Sequence, residues 1–125
     1  MAKKKKKTIS PQSRKAKGRI FQKEIAEYIS DLTGIPWGKD KDIEPREMGQ
    51  SGPDIKLYGK ARKKFPYAVE CKNQEKWQIP KWIRQAKENA KRGMDWLLFI
   101  RKNRMKPGIV VLPIDVFFKI LKRSK

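Results

Sequence analysis

The sequence has no histidine and only one cysteine, Cys71. Without imidazole there is no histidine general acid or base, and with one thiol there is no internal disulfide. Together these absences exclude zinc sites of the Cys/His kind. A lone cysteine fits a reducing cytoplasm, which is the expected location. Long apolar runs are missing too. No stretch approaches the roughly 20 residues that cross a bilayer, and the opening MAKKKKK is not followed by the apolar segment of a signal peptide. No membrane association is expected. Acids are scarce, with 13 Asp and Glu against 33 Lys and Arg, a formal net charge of +20. Any chemistry must therefore use carboxylates, lysines, hydroxyls or a metal held by oxygen ligands.

Positive charge is what the chain has in excess. Self-repulsion of this size is offset by a polyanion, and nucleic acid is the expected partner. Residues 1–19 hold nine bases and no acid, which leaves 24 of the 33 bases against 13 acids in the remainder. The body of the protein is basic as well as its start, which points to a docking surface. The 125 residues suffice for one domain with a modest core.

Residues 1–12 read as a disordered basic arm, and 13–125 as the folded domain. Phe21, Ile25, Tyr28, Ile29 and Leu32 recur at helical spacing from about Ser13, and Gly34 and Pro36 end that helix. A polar loop follows, with a short strand expected near 46–48. Strands are expected at Asp54–Tyr58, Phe65–Lys72, Trp96–Lys102 and over IVVLP, residues 109–113. A helix fills 80–92 with Gly93 as its cap, and a last helix starts behind Asp115 as N-cap. The order α-β-β-α-β-β-α predicts a single α/β domain, a mixed central sheet flanked by helices.

Within this frame the acids are placed unusually. Asp54 follows Gly52-Pro53, and Glu70 and Lys72 lie two apart in the run FPYAVECK. On a strand, residues two apart share a face. A hairpin-like pairing of the two strands brings Asp54 beside Glu70. Neighbouring carboxylates repel, and a divalent cation between them removes the repulsion. Oxygen ligands of this kind suit Mg²⁺ or Mn²⁺, which polarise phosphoryl oxygens and acidify bound water. Lys72 can hold that water or offset charge on the phosphorus centre. An isolated E-x-K triplet is commonly a surface ion pair; this one adjoins an apolar run and follows Pro-Asp by 16 positions.

Pro53-Asp54, a 15-residue gap and Glu70-Cys71-Lys72 fill every named position of the PD-(D/E)xK nuclease signature. The flanks RKAKGRIFQKEI, SGPD and VECK resemble archaeal-type Holliday junction resolvases. FPYAVECKNQEKW and RKNRMKPGIVVLP resemble small phage-encoded nucleases of the same superfamily more closely, and the likeness runs from about Ser13 to Leu121. It implies a restriction-endonuclease-like fold and a metal-dependent endodeoxyribonuclease acting in the cytoplasm of a phage host. It also implies Asp54, Glu70 and the backbone carbonyl of Cys71 as metal ligands, with Lys72 catalytic. A glutamate on the first helix completes the family's site. Counting from Gly18 puts that position at Gln22, whereas Glu24 and Glu27 are the nearby acids. On a helical wheel Glu24 lies roughly 75° from the centre of the expected buried face, Gln22 about 85° and Glu27 about 135°. Glu24 is therefore the expected catalytic acid, with Gln22 as a possible contact to the metal through water. Ser51, before Gly52-Pro53, and Gln85, on the helix after the metal strand, are possible helpers; turn chemistry alone explains Ser51 well, and a surface glutamine is the better reading of Gln85.

Lys15, Lys17 and Arg19 near the first helix, and Arg101, Lys102 and Arg104 at the turn after the third main strand, suit phosphate contacts. Trp96 is expected in the core, and Trp77 and Trp82 at packing, dimer or junction contacts. The expected activity is resolution of four-way DNA junctions by paired phosphodiester hydrolysis, and the junction's two-fold symmetry calls for a homodimer. The alternatives are a nicking, flap or restriction-type nuclease on the same core, and a non-catalytic basic DNA-binding protein.

Overall fold

The computed structural model describes residues 11–47 and 49–124. The expected arm lies outside them except for residues 11 and 12, which are already helical. Helix α1 (Pro11–Thr33) leads to β1 (Ile43–Pro45), β2 (Ile55–Leu57), α2 (Gly59–Lys64), β3 (Tyr67–Asn73), α3 (Ile79–Asn89), β4 (Asp95–Arg101), β5 (Ile109–Val111) and α4 (Ile114–Arg123). The seven-element order leaves out two short elements: β1, expected as a short strand near 46–48, and α2, which forms where Gly59 to Lys64 reads as a basic turn or short helical segment. The short strand forms three residues before its expected place, because the turns at Gly49 (φ 83°) and Gly52 (φ 99°) belong to the loop that returns the chain to β2.

The five strands lie in the order β1-β2-β3-β4-β5. β3 and β4 pair parallel through the α3 crossover, with Glu70 opposite Leu98, and the other neighbours pair antiparallel. This is the expected mixed sheet flanked by helices. Strand alternation divides the core between two faces. Tyr67, Val69, Cys71, Leu97 and Phe99 pack with Phe21, Ile25, Ala26 and Ile29 of α1 and with Val116 of α4. Leu98 and Ile100 pack with Trp82 of α3 on the other face, backed by Trp77, Ile79, Ile83 and Trp96. Trp82 is thus a core residue and not a junction or dimer contact.

Helix α1 is rotated relative to the expected stripe. Tyr28 and Leu32 are 58% and 73% exposed, and Ala26 and Thr33 are buried in their place. Ala26 carries only a methyl group, too small to hold the helix off the sheet, and Thr33 satisfies its hydroxyl by donating to Ile29 O at 2.8 Å. Two expected caps also differ. α3 ends at Asn89 with Ala90 as C-cap, and Gly93 (φ 80°) serves the turn into β4. α4 starts behind an extended Pro113, and Asp115 sits in its first turn, where the carboxylate still favours the helix dipole. Gly108 is required where β5 joins the sheet: a Cβ there would lie 2.6 Å from Ile100 O.

Candidate active site

The hairpin registers converge on Asp54. Pro45 faces Ile55, and Arg46 N donates to Asp54 O at 2.7 Å. On the other side Ile55 faces Val69, and Asp54 N donates to Val69 O at 2.8 Å. Asp54 is thereby set between Arg46 on one strand and Glu70 on the other. The residue is 3% exposed, and a carboxylate so buried is tolerable only with partners. Oδ2 accepts from Cys71 N at 2.7 Å, and Oδ1 lies 2.9 Å from Arg46 Nη2. The same guanidinium donates through Nη1 to Gly52 O at 2.9 Å, so Arg46 ties the turn to the acid it carries.

Glu70, 4% exposed, points to the α3 face, where Asn89 Nδ2 donates to its Oε2 at 3.2 Å. Lys72 is half-buried two residues along the same face. Burial pushes the Glu70 carboxyl up to about 7, helped by the neighbouring Asp54 charge and opposed by Asn89, Lys72 and Arg46. Asp54 is also raised, chiefly by burial, against the Cys71 N–H and the charges of Arg46 and Lys72. Burial raises the Cys71 thiol well above its ordinary range, so it is no nucleophile at neutral pH.

This donor set fits a divalent cation. Two buried carboxylates lie side by side, each held above its ordinary pKa. Mg²⁺ commonly takes only one or two carboxylates and keeps several waters. Among the described residues no third acid joins the pair. Glu24 does not: its Oε2 accepts from Arg101 Nη1, on the α1 face, opposite Glu70. Gln22 is half-buried on the same helix and makes no hydrogen bond to either acid. Ser51 is exposed on the turn. Gln85 is half-buried and not a surface glutamine. It lies one helical turn before Asn89, and its Oε1 is the one buried side-chain oxygen or nitrogen without a partner among the described residues.

The basic residues regroup. Arg101 is 5% exposed, stacked 4.5 Å over the Phe21 ring and paired with Glu24, so it is not available to phosphate as expected. Lys17 Nζ donates to Asn103 Oδ1 at 2.5 Å, and Asn103 N donates to Glu75 Oε2 at 2.9 Å. The start of α1 and the turn after β4 thus form one basic end, with Lys15, Arg19, Lys102 and Arg104 exposed; Lys102 lies 5.7 Å from the Trp77 ring centre. A further basic depression, unforeseen from sequence, is lined by Arg62, Lys63 and Arg92 beyond the opposite end of β3. Arg46 and Asn89 were also missed. Their signals were a hairpin turn between residues 46 and 54, and the i, i+4 spacing of Asn89 from Gln85.

No helix among the described residues is long and apolar enough to cross a membrane. A family model described as "Phage putative PDDEXK endonuclease" matches residues 13–125. No curated protein and no solved structure matches the chain.

Proposed function

The chain belongs to this phage PDDEXK endonuclease family, and from that premise we propose that it is a metal-dependent endodeoxyribonuclease that resolves four-way DNA junctions in the host cytoplasm. One observation carries the catalytic part: Asp54 and Glu70 are buried side by side at the β2–β3 pairing, with Lys72 on the Glu70 face. Asp54, Glu70 and the Cys71 carbonyl are the residues that would hold Mg²⁺ or Mn²⁺. Such an ion supplies positive charge to a phosphoryl oxygen and acidifies a water. Asn89 fixes the Glu70 carboxylate through Oε2, which leaves Oε1 for the ion. Lys72 offsets negative charge as it grows on the phosphate. Gln85 Oε1, buried and unpartnered on α3 one turn before Asn89, is free to accept from a water at the site. Glu24 serves this reading indirectly, by holding Arg101 under α1 and so fixing the basic end formed by Lys17, Lys102 and Arg104.

Junction specificity rests on duplication of this site. Tyr28, Leu32, Ile109 and Val110 are exposed and line an apolar groove of about 340 Å³ together with Phe99 and Phe65. That face suits a second copy, which would give the two active sites a two-fold relation. The test is cleavage of an immobile four-way junction beside a plain duplex, a flap and a nicked duplex, with Mg²⁺. Paired symmetric nicks in the junction alone support resolution. Equal cutting of all four supports a less selective nuclease, and binding without cutting supports a non-catalytic DNA-binding protein.

A further inference from the structure

We propose that Arg46 competes with the metal for Asp54: its guanidinium is paired with Asp54 Oδ1 and must withdraw from that oxygen for a divalent ion to bind tightly. The inference rests on the metal-site reading above and adds a residue to it. It begins with the two oxygens of Asp54. Oδ2 accepts from Cys71 N at 2.7 Å, a bond fixed by the β2–β3 register. Oδ1 is therefore the oxygen Asp54 can offer an ion, and Arg46 Nη2 sits 2.9 Å from it. A guanidinium this close takes one of the two lone pairs of Oδ1 and, as a cation, repels a divalent ion on the same oxygen, so an ion binds Asp54 better once Arg46 withdraws.

The rest of the arginine's surroundings explain why release is feasible. Arg46 is not locked in the core, since its side chain is 24% exposed while that of Asp54 is 4%. Its second bond goes to Gly52 O, at 2.9 Å, on the glycine-containing turn. The arginine can therefore leave the acid without breaking the sheet, whose Arg46 N to Asp54 O bond is made by the backbone alone. While paired, the guanidinium keeps a buried carboxylate from standing uncompensated. Arg46 thus acts as a positioning residue that sets metal affinity.

The test is calorimetric titration of Mn²⁺ into full-length wild-type protein, Arg46→Gln and Arg46→Lys, in the absence of DNA, with circular dichroism to verify folding. Arg46→Gln should bind Mn²⁺ about tenfold more tightly, the scale of coupling between groups that touch directly. Arg46→Lys keeps the charge but not the two-pronged fork, so its affinity should fall between the other two. The thermal midpoint should rise more on adding Mn²⁺ to Arg46→Gln than to wild type. Adding Asp54→Asn to Arg46→Gln should erase the gain. If the folded Arg46→Gln protein binds Mn²⁺ no better than wild type, the proposal is overturned while the metal site stands. If neither protein binds Mn²⁺ at millimolar concentrations, both fall. Should Arg46→Gln prove unfolded, Arg46→Lys carries the test alone, and unchanged or weaker binding by it refutes the proposal.

Discussion

Replacing Glu70 by Gln is expected to stabilise the metal-free protein while removing its activity. Burial, and after it the neighbouring Asp54 charge, disfavours the ionised Glu70 carboxylate. The Glu70 carboxyl is raised from 4.5 to about 7, so its ionised form is disfavoured in the fold. At about 1.4 kcal/mol per unit, with an allowance for relaxation, ionised Glu70 costs on the order of 2–3 kcal/mol. Gln is neutral and nearly isosteric, and its carbonyl can still accept from Asn89. The cost has a definite pH window. Below pH 4.5 Glu70 is protonated in both folded and unfolded chains, and the two proteins should be equally stable. Between pH 4.5 and 7 the unfolded wild type loses its proton first, so wild-type stability falls with rising pH. Above 7 the gap should be constant. Urea denaturation in EDTA, at pH values below, within and above this window, measures it. A Glu70→Gln protein less stable than wild type above the window, or a gap independent of pH, would refute the account of a Glu70 carboxylate whose ionised form is disfavoured by burial and by Asp54.

Asp54→Asn and Lys72→Ala should each abolish cleavage yet bind DNA with near wild-type affinity in EDTA, as a gel-shift titration would show, because phosphate contacts supply most of the affinity. Glu24→Gln should retain most activity but cost about 1.5–3 kcal/mol in urea denaturation, since it weakens a charge-assisted bond to buried Arg101; near-complete loss of activity with unchanged stability would return Glu24 to the active site. Neutralising Arg62, Lys63 and Arg92 should flatten the salt dependence of DNA binding by up to about 0.9 in log–log slope for each phosphate they neutralise, and an unchanged slope would place the duplex elsewhere.

The central feature of the site was legible because it rests on alternation. Glu70 and Lys72 are two apart on a strand, and Asp54 begins the neighbouring one, so a short hairpin suffices to bring the acids together. The groups that orient them were not legible, because they depend on register and helix placement. Arg46 reaches Asp54 only once β1 pairs with β2 as Pro45 opposite Ile55. Asn89 reaches Glu70 only once α3 lies on the sheet face away from α1. The basic turn misled for a related reason. Arg101 ends a strand on which Leu97 and Phe99 face α1, and alternation carries Arg101 inward with them, under Phe21 and Glu24. Glu24, three residues after Phe21, lies on the helix flank that meets this arginine. The helical wheel placed Glu24 near the sheet correctly, but a wheel does not say which face of the sheet the helix covers. The same limit explains Tyr28 and Leu32, whose spacing marks an apolar flank and not the buried line.

The most direct test is cleavage of an end-labelled four-way junction by wild-type protein and Asp54→Asn, each with Mg²⁺, with Mn²⁺ and with EDTA. The account predicts nicked product from the wild type with either ion, none in EDTA, and none from Asp54→Asn under any condition. Cleavage that persists in EDTA, or in Asp54→Asn with Mg²⁺, would contradict the assignment of the Asp54–Glu70 pair as the metal-dependent catalytic centre.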